Sequence, residues 1–157
     1  MDWSEIVDNP YLQDLPFKIE QDRYGNIVMS PGSNRHAEIQ AEIAYLLRKL
    51  LPAGKSLTEC SIATPEGVKS PDVAWADAAF IEAYRETTPF ETAPEICVEV
   101  LSPSNAPAEI DEKRSLYFAA GAAEVWVCDA DGRMAFYNAS GKIQTSALAP
   151  DFPAQIA

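Results

Sequence analysis

At 157 residues the chain has the size of one domain, long enough to bury a real core. Its apolar content of 47% and charged content of 23% are those of an ordinary globular protein, and no apolar run approaches the ~20 residues of a membrane-spanning helix. A net charge of −12 argues against tight, nonspecific DNA binding, which draws on a basic surface, and favours holding a cation. The start, MDWSEIVDNPYLQD, lacks a basic stretch followed by an apolar one, so no signal peptide is expected. Three cysteines, with Cys97 and Cys128 in apolar strand-like runs, read as reduced thiols of a cytoplasmic protein.

Residues 1–16 form a lead-in with one helical turn near Trp3 to Val7. Phe17 to Glu20 and Ile27 to Met29 alternate in polarity around a Gly25-Asn26 turn, which predicts a β-hairpin. Ser33 or Asn34 caps a helix over 35–51, with Ile39, Ile43, Leu46, Leu47 and Leu50 on one face. His36 and Gln40 lie along the edge of that face and Glu42 at its other margin. A strand over 56–63, a turn at Pro65-Glu66-Gly67 and a strand over 71–76 follow. Asp77 caps a short helix over 78–85, and a loop spans 87–94.

The stretch 95–101 is the strongest strand, because a continuous Ile/Val run suits a position buried on both faces. Ser102-Pro103-Ser104 ends it. A second main helix spans 108–120, with Ile110, Lys113, Tyr117 and Ala120 on one face, and Gly121 stops it. Strands over 124–128 and 134–138 flank an Asp131-Gly132 turn, and weak strand character over 145–148 precedes a tail, 149–157. The order predicts a single α/β domain over 1–157, with a mixed sheet between helices and an N-terminal β-hairpin.

The chemistry concentrates between Ser70 and Lys113. Asp72 heads the apolar run Val73-Ala74-Trp75. Glu99 shares its strand face with Cys97 and Leu101, opposite Ile96, Val98 and Val100. A lone buried carboxylate costs several kcal/mol, roughly, so Glu99 must be paired, protonated or metal-bound. Two readings stay open: an ion pair with Lys113 or Arg114 of the following helix, or a divalent-metal site shared with Asp72. Two acids on neighbouring strands with a cation nearby suit a metal and a phosphate ester. Ten acids against one base between Asp72 and Glu112 make either a solvated acidic surface or a setting for a cation. His36, the sole histidine, reads as a structural hydrogen-bonding residue or as a base. Nucleotide-binding loops, a GxSxG elbow and Cys/His zinc spacings are all missing from the sequence.

SPDVAWAD, PEICVEVLSPSN and EKRSLYFAAGAAEVWVCDADG, preceded by MSPGSNRHAEIQAEIAYLL, resemble the Uma family of restriction-endonuclease-like proteins over residues 17–148. That family lies in the PD-(D/E)XK nuclease superfamily. The resemblance implies a restriction-endonuclease-like mixed sheet flanked by helices. It also implies Mg²⁺- or Mn²⁺-dependent hydrolysis of DNA phosphodiesters, and pairing into a homodimer. Pro71-Asp72 is the PD element and Glu99 the (D/E). Leu101 stands where the pattern has lysine, and Lys113 of EKRSLY resembles a replacement cation, with Glu109 as the family acid four residues before it. On this reading Asp72, Glu99 and the Val100 carbonyl hold the metal. Lys113 positions water or stabilises the transition state. His36, Gln40 and Glu42 are the auxiliary candidates. Leu101 and the acidic charge leave room for an inactive binding or assembly module on the nuclease fold, or a phosphoesterase for a small nucleotide.

Overall fold

The Ile/Val run does become the middle of the sheet. In the computed structural model, which describes residues 1–103 and 105–156, this run is β7 (Ile96–Val100), and all five of its residues are buried. Ser104 of the expected strand-ending turn and Ala157 of the expected tail lie outside the described residues. On one side β7 pairs antiparallel with β6 (Val73–Ala76), and on the other it pairs parallel with β8 (Glu124–Cys128). The sheet continues past β8 through β9 (Met134–Asn138) and β10 (Gly141–Ile143), and past β6 to β3 (Lys55–Thr58). It is a six-stranded mixed sheet flanked by helices, the expected α/β architecture.

Alternation along the strands divides the core into two layers. Ile96, Val98 and Val100, with Val73, Trp75 and Trp126, face α2 (Asn34–Leu50) and its buried Ile39, Ile43 and Leu47. Cys97 and Val125 face the other way, against Tyr117 of α4 (Pro107–Ala119) and Ile62. The sheet-to-helix connection through α4 is what allows β7 and β8 to run parallel. Between β6 and β7, α3 (Ala78–Tyr84) is capped by Asp77, as expected. A short α1 (Trp3–Asp8) precedes the hairpin of β1 (Phe17–Gln21) and β2 (Ile27–Pro31), a separate two-stranded sheet. Among the described residues no helix is long and apolar enough to cross a membrane.

Two expectations are corrected. The strand over 56–63 is broken: Glu59 has φ 55°, outside strand geometry, so β3 ends at Thr58. The chain then makes its own hairpin from β4 (Ile62–Thr64) and β5 (Gly67–Lys69). The weak strand over 145–148 does not form, and β10 lies earlier. The Ala147 and Leu148 amides instead donate to the buried carboxylate of Glu124, beside the Ser146 hydroxyl, and so are not available to a ladder. Beyond them the tail is packed, with Ala149, Phe152 and Ile156 buried in the α2-side core.

Gly67 fixes how the two small hairpins meet. Its φ is +95°, and a Cβ there would run into the backbone of Gln21 and Asp22 at the end of β1. Gly67→Ala therefore both strains a left-handed residue and pushes β1 away. Thermal or urea unfolding of this variant is expected to show a loss of about 1–3 kcal/mol. Gly141→Ala, also at positive φ but with open space around it, is expected to cost less.

Candidate active site

Extending the β6–β7 register by one step sets Asp72 opposite Glu99. Both are buried, at 2% and 3% exposure, at the end of β7 from which α4 departs. Each acid has one oxygen tied back by the fold. Asp72 Oδ2 accepts from the Val100 amide at 2.7 Å and faces His36 Nε2 at 3.4 Å. Glu99 Oε1 accepts from the Tyr117 hydroxyl at 2.6 Å. The other two oxygens, Asp72 Oδ1 and Glu99 Oε2, turn to one shared cation, the Lys18 ammonium, at 3.1 and 3.3 Å.

Lys113 comes from α4, with its Nζ 3.7 Å from Glu99 Oε1. Its shorter bond, 2.7 Å, goes to Glu20 Oε1 of β1, a third buried carboxylate. Glu20 is fixed in turn by the Ser70 amide at 2.8 Å. The other partner considered for Glu99, Arg114, instead stacks on the Tyr137 ring, 4.0 Å from its centroid. Asp72, Glu99, Lys18 and Lys113 line a cleft of about 400 Å³. His36, Gln40, Val100 and Glu109 also line it. His36 is placed there by the Ser33 cap, whose hydroxyl accepts from the His36 amide at 3.0 Å. Glu42 is exposed and does not line the cleft.

Electrostatics separates the two central acids. Burial alone would raise the pKa of Asp72. The His36 hydrogen bond, the Lys18 charge and the Val100 amide outweigh it and hold Asp72 below the usual carboxylate range. Burial pushes Glu99 up to about 7, because Lys18 and Lys113 offset only part of the desolvation while Asp72 and Glu20 add to it. Burial would lower Lys18, but Glu99, Asp72 and Glu20 hold it above its ordinary value. The Asp72 hydrogen bond raises His36.

Among the described residues no three of His, Cys, Asp and Glu are grouped as a ready metal cage. The donor set is nevertheless one that a hard divalent ion takes: two carboxylate oxygens aimed at a common cation, beside an open cleft that admits water. Mg²⁺ typically binds through one or two carboxylates and keeps several waters.

A family model described as "Putative restriction endonuclease" matches residues 11–147. The chain belongs to this family, Uma2. The Uma2 chain also matches a crystal structure described as a putative nuclease of DUF820 from Anabaena variabilis ATCC 29413. The TM-score is 0.72 and the identity 16%, over 87% of this chain and 86% of the other, a likeness of fold. No curated protein matches.

Lys18, Glu20 and Tyr117 are site residues that the Uma2 sequence alone did not disclose. Phe17-Lys18-Ile19-Glu20 reads as an ordinary hairpin strand with a solvated polar face. The signal available was that Lys18 and Glu20, two apart, share one face, so a strand docked on the protein would bury both. Tyr117 falls on the apolar face of its helix, where a buried hydroxyl needs a partner.

The Glu99 shift has a direct consequence for stability. A carboxyl raised from 4.5 to about 7 stabilises the fold fully below pH 4.5, and that contribution is lost as pH rises through about 7. Metal-free protein should thus lose about 3 kcal/mol from this group over that window. Glu99→Gln is expected to flatten the slope of Tm against pH between 4.5 and 6.5. Asp72 acts with the opposite sign: its stabilisation is present above pH 3.8 and is lost in stronger acid, in both proteins.

Proposed function

We propose that this Uma2 chain is a divalent-metal-dependent endonuclease that hydrolyses DNA phosphodiesters in the Asp72–Glu99 cleft. The observation that carries this reading is the convergence of Asp72 Oδ1 and Glu99 Oε2 on one cation position while their other oxygens are tied back. Asp72, Glu99 and the Val100 carbonyl would hold Mg²⁺ or Mn²⁺. When bound, the ion supplies Lewis-acid chemistry, neutralising charge on the scissile phosphate and acidifying a water.

The chain's own groups do the positioning. The Val100 amide and His36 hold Asp72, and Tyr117 holds Glu99, so neither carboxylate must reorganise as charge develops. Lys113 presents a fixed positive charge beside them, anchored by Glu20, and would stabilise the phosphorane-like transition state or orient the attacking water. His36 and Gln40 line the cleft where substrate would pass. Cutting both strands of a duplex calls for two sites, which favours a homodimer, and unpaired Cys60, Cys97 and Cys128 suit a cytoplasmic setting.

One observation favours a second reading, a nuclease-fold binding or assembly module without turnover. Lys18 already bridges both acids, so a cation of the chain itself fills the position a metal would take. A cleavage assay separates the two. Purified protein is expected to nick or cut DNA only with Mg²⁺ or Mn²⁺. Asp72→Asn and Glu99→Gln should abolish cutting, and Lys113→Met should slow it by at least ~10²-fold. A folded wild type that binds DNA but cuts none with either metal would establish the module instead.

A further inference from the structure

We propose that Lys18 is a built-in stand-in for the divalent ion: its ammonium holds the shared position between Asp72 and Glu99 in the metal-free protein and moves into the cleft when metal binds. The inference rests on the reading of Asp72 and Glu99 as metal ligands. Lys18 Nζ lies 3.1 Å from Asp72 Oδ1 and 3.3 Å from Glu99 Oε2. A divalent ion ligated by those same two oxygens would fall in the space the ammonium now fills. Two cations cannot share that space in a buried site without strong repulsion.

The neighbouring charges favour exchange over simple addition. Three buried acids, Glu20, Asp72 and Glu99, face two ammonium groups, Lys18 and Lys113. Replacing Lys18 by a divalent ion brings the charges of the three acids, Lys113 and the ion to a sum of zero. A cleft that then regains Lys18 at its wall carries one positive charge for one phosphodiester. Lys18 can make this move: it lines the cleft on a flexible four-carbon stem, and among the described residues its ammonium bonds to the two acids it would give up. Lys113 is not, since its 2.7 Å bond to Glu20 is backed by the Ser70 amide. The two lysines thus divide the work: Lys113 stays beside Glu99, and Lys18 alternates between acids and substrate.

The test uses wild-type protein, with Mn²⁺ binding followed by electron paramagnetic resonance. A short pulse of acetic anhydride, read residue by residue by mass spectrometry, reports access to each lysine. Saturating Mn²⁺ is expected to raise acetylation of Lys18 at least about five-fold and leave Lys113 within about two-fold. Bound Mn²⁺ with Lys18 still protected would overturn the inference and leave the metal reading standing. Failure of any Mn²⁺ to bind would overturn both. As a second arm, Lys18→Met, checked for folding by circular dichroism, should bind Mn²⁺ at least about ten-fold tighter than wild type, because the competing charge is gone. Equal or weaker binding would overturn the inference.

Discussion

The burial of three carboxylates against two ammonium groups is the constraint on which the remainder of this structure depends. Glu20, Asp72 and Glu99 come from a hairpin, a strand entrance and the central strand, and each is almost fully enclosed. Any one left alone would cost several kcal/mol, roughly, so the three elements and α4 can be native only when they are all in place. The network therefore acts as a docking code. Lys113 joins α4 to β1 through Glu20, and Lys18 joins β1 to β6 and β7 through Asp72 and Glu99. The small β1–β2 sheet, which shares no ladder with the main one, is held to it partly by these charges.

The same arrangement bears on the acidic charge of the protein. The net charge of −12 acts at long range, where salt screens it over about 10 Å, and would slow the approach of any polyanion. The cleft itself is lined by Lys18 and Lys113 beside Glu59, Asp72, Glu99 and Glu109, so its acids outnumber its lysines. Such a distribution disfavours indiscriminate coating of nucleic acid. A phosphate at the floor would meet net attraction only with a divalent ion offsetting those acids, as the proposed activity requires.

The parts of this fold legible in the sequence are those whose pattern is local. The apolar run at Ile96 to Val100 announces a central strand, the spacing of Ile39, Ile43 and Leu47 announces α2, and Lys113 falls in phase with Ile110 and Tyr117. What escaped was set by partners far along the chain. Nothing near Glu59 signals that it would adopt φ 55° and break a strand. Glu124 looks like a strand's polar end, yet Trp126, Ser146 and Ala147 enclose it with donors. Lys18 and Glu20 show the same limit at the site itself. A hairpin strand reads as half-solvated until the Ser70 and Lys113 contacts, 50 and 93 residues away, are known.

The long reach of those contacts bears on how the protein is made. The ribosome releases the N-terminal hairpin first and the α4 residues much later, at roughly 5–20 residues per second. Until Lys113 and Tyr117 have emerged, the acids lack the groups that orient Glu99 and anchor Glu20. A chain ending before α4 would therefore lack both of these contacts. The network around Asp72 and Glu99 is thus completed only once α4 has joined the hairpin, with β8, β9 and β10 still to follow in the chain.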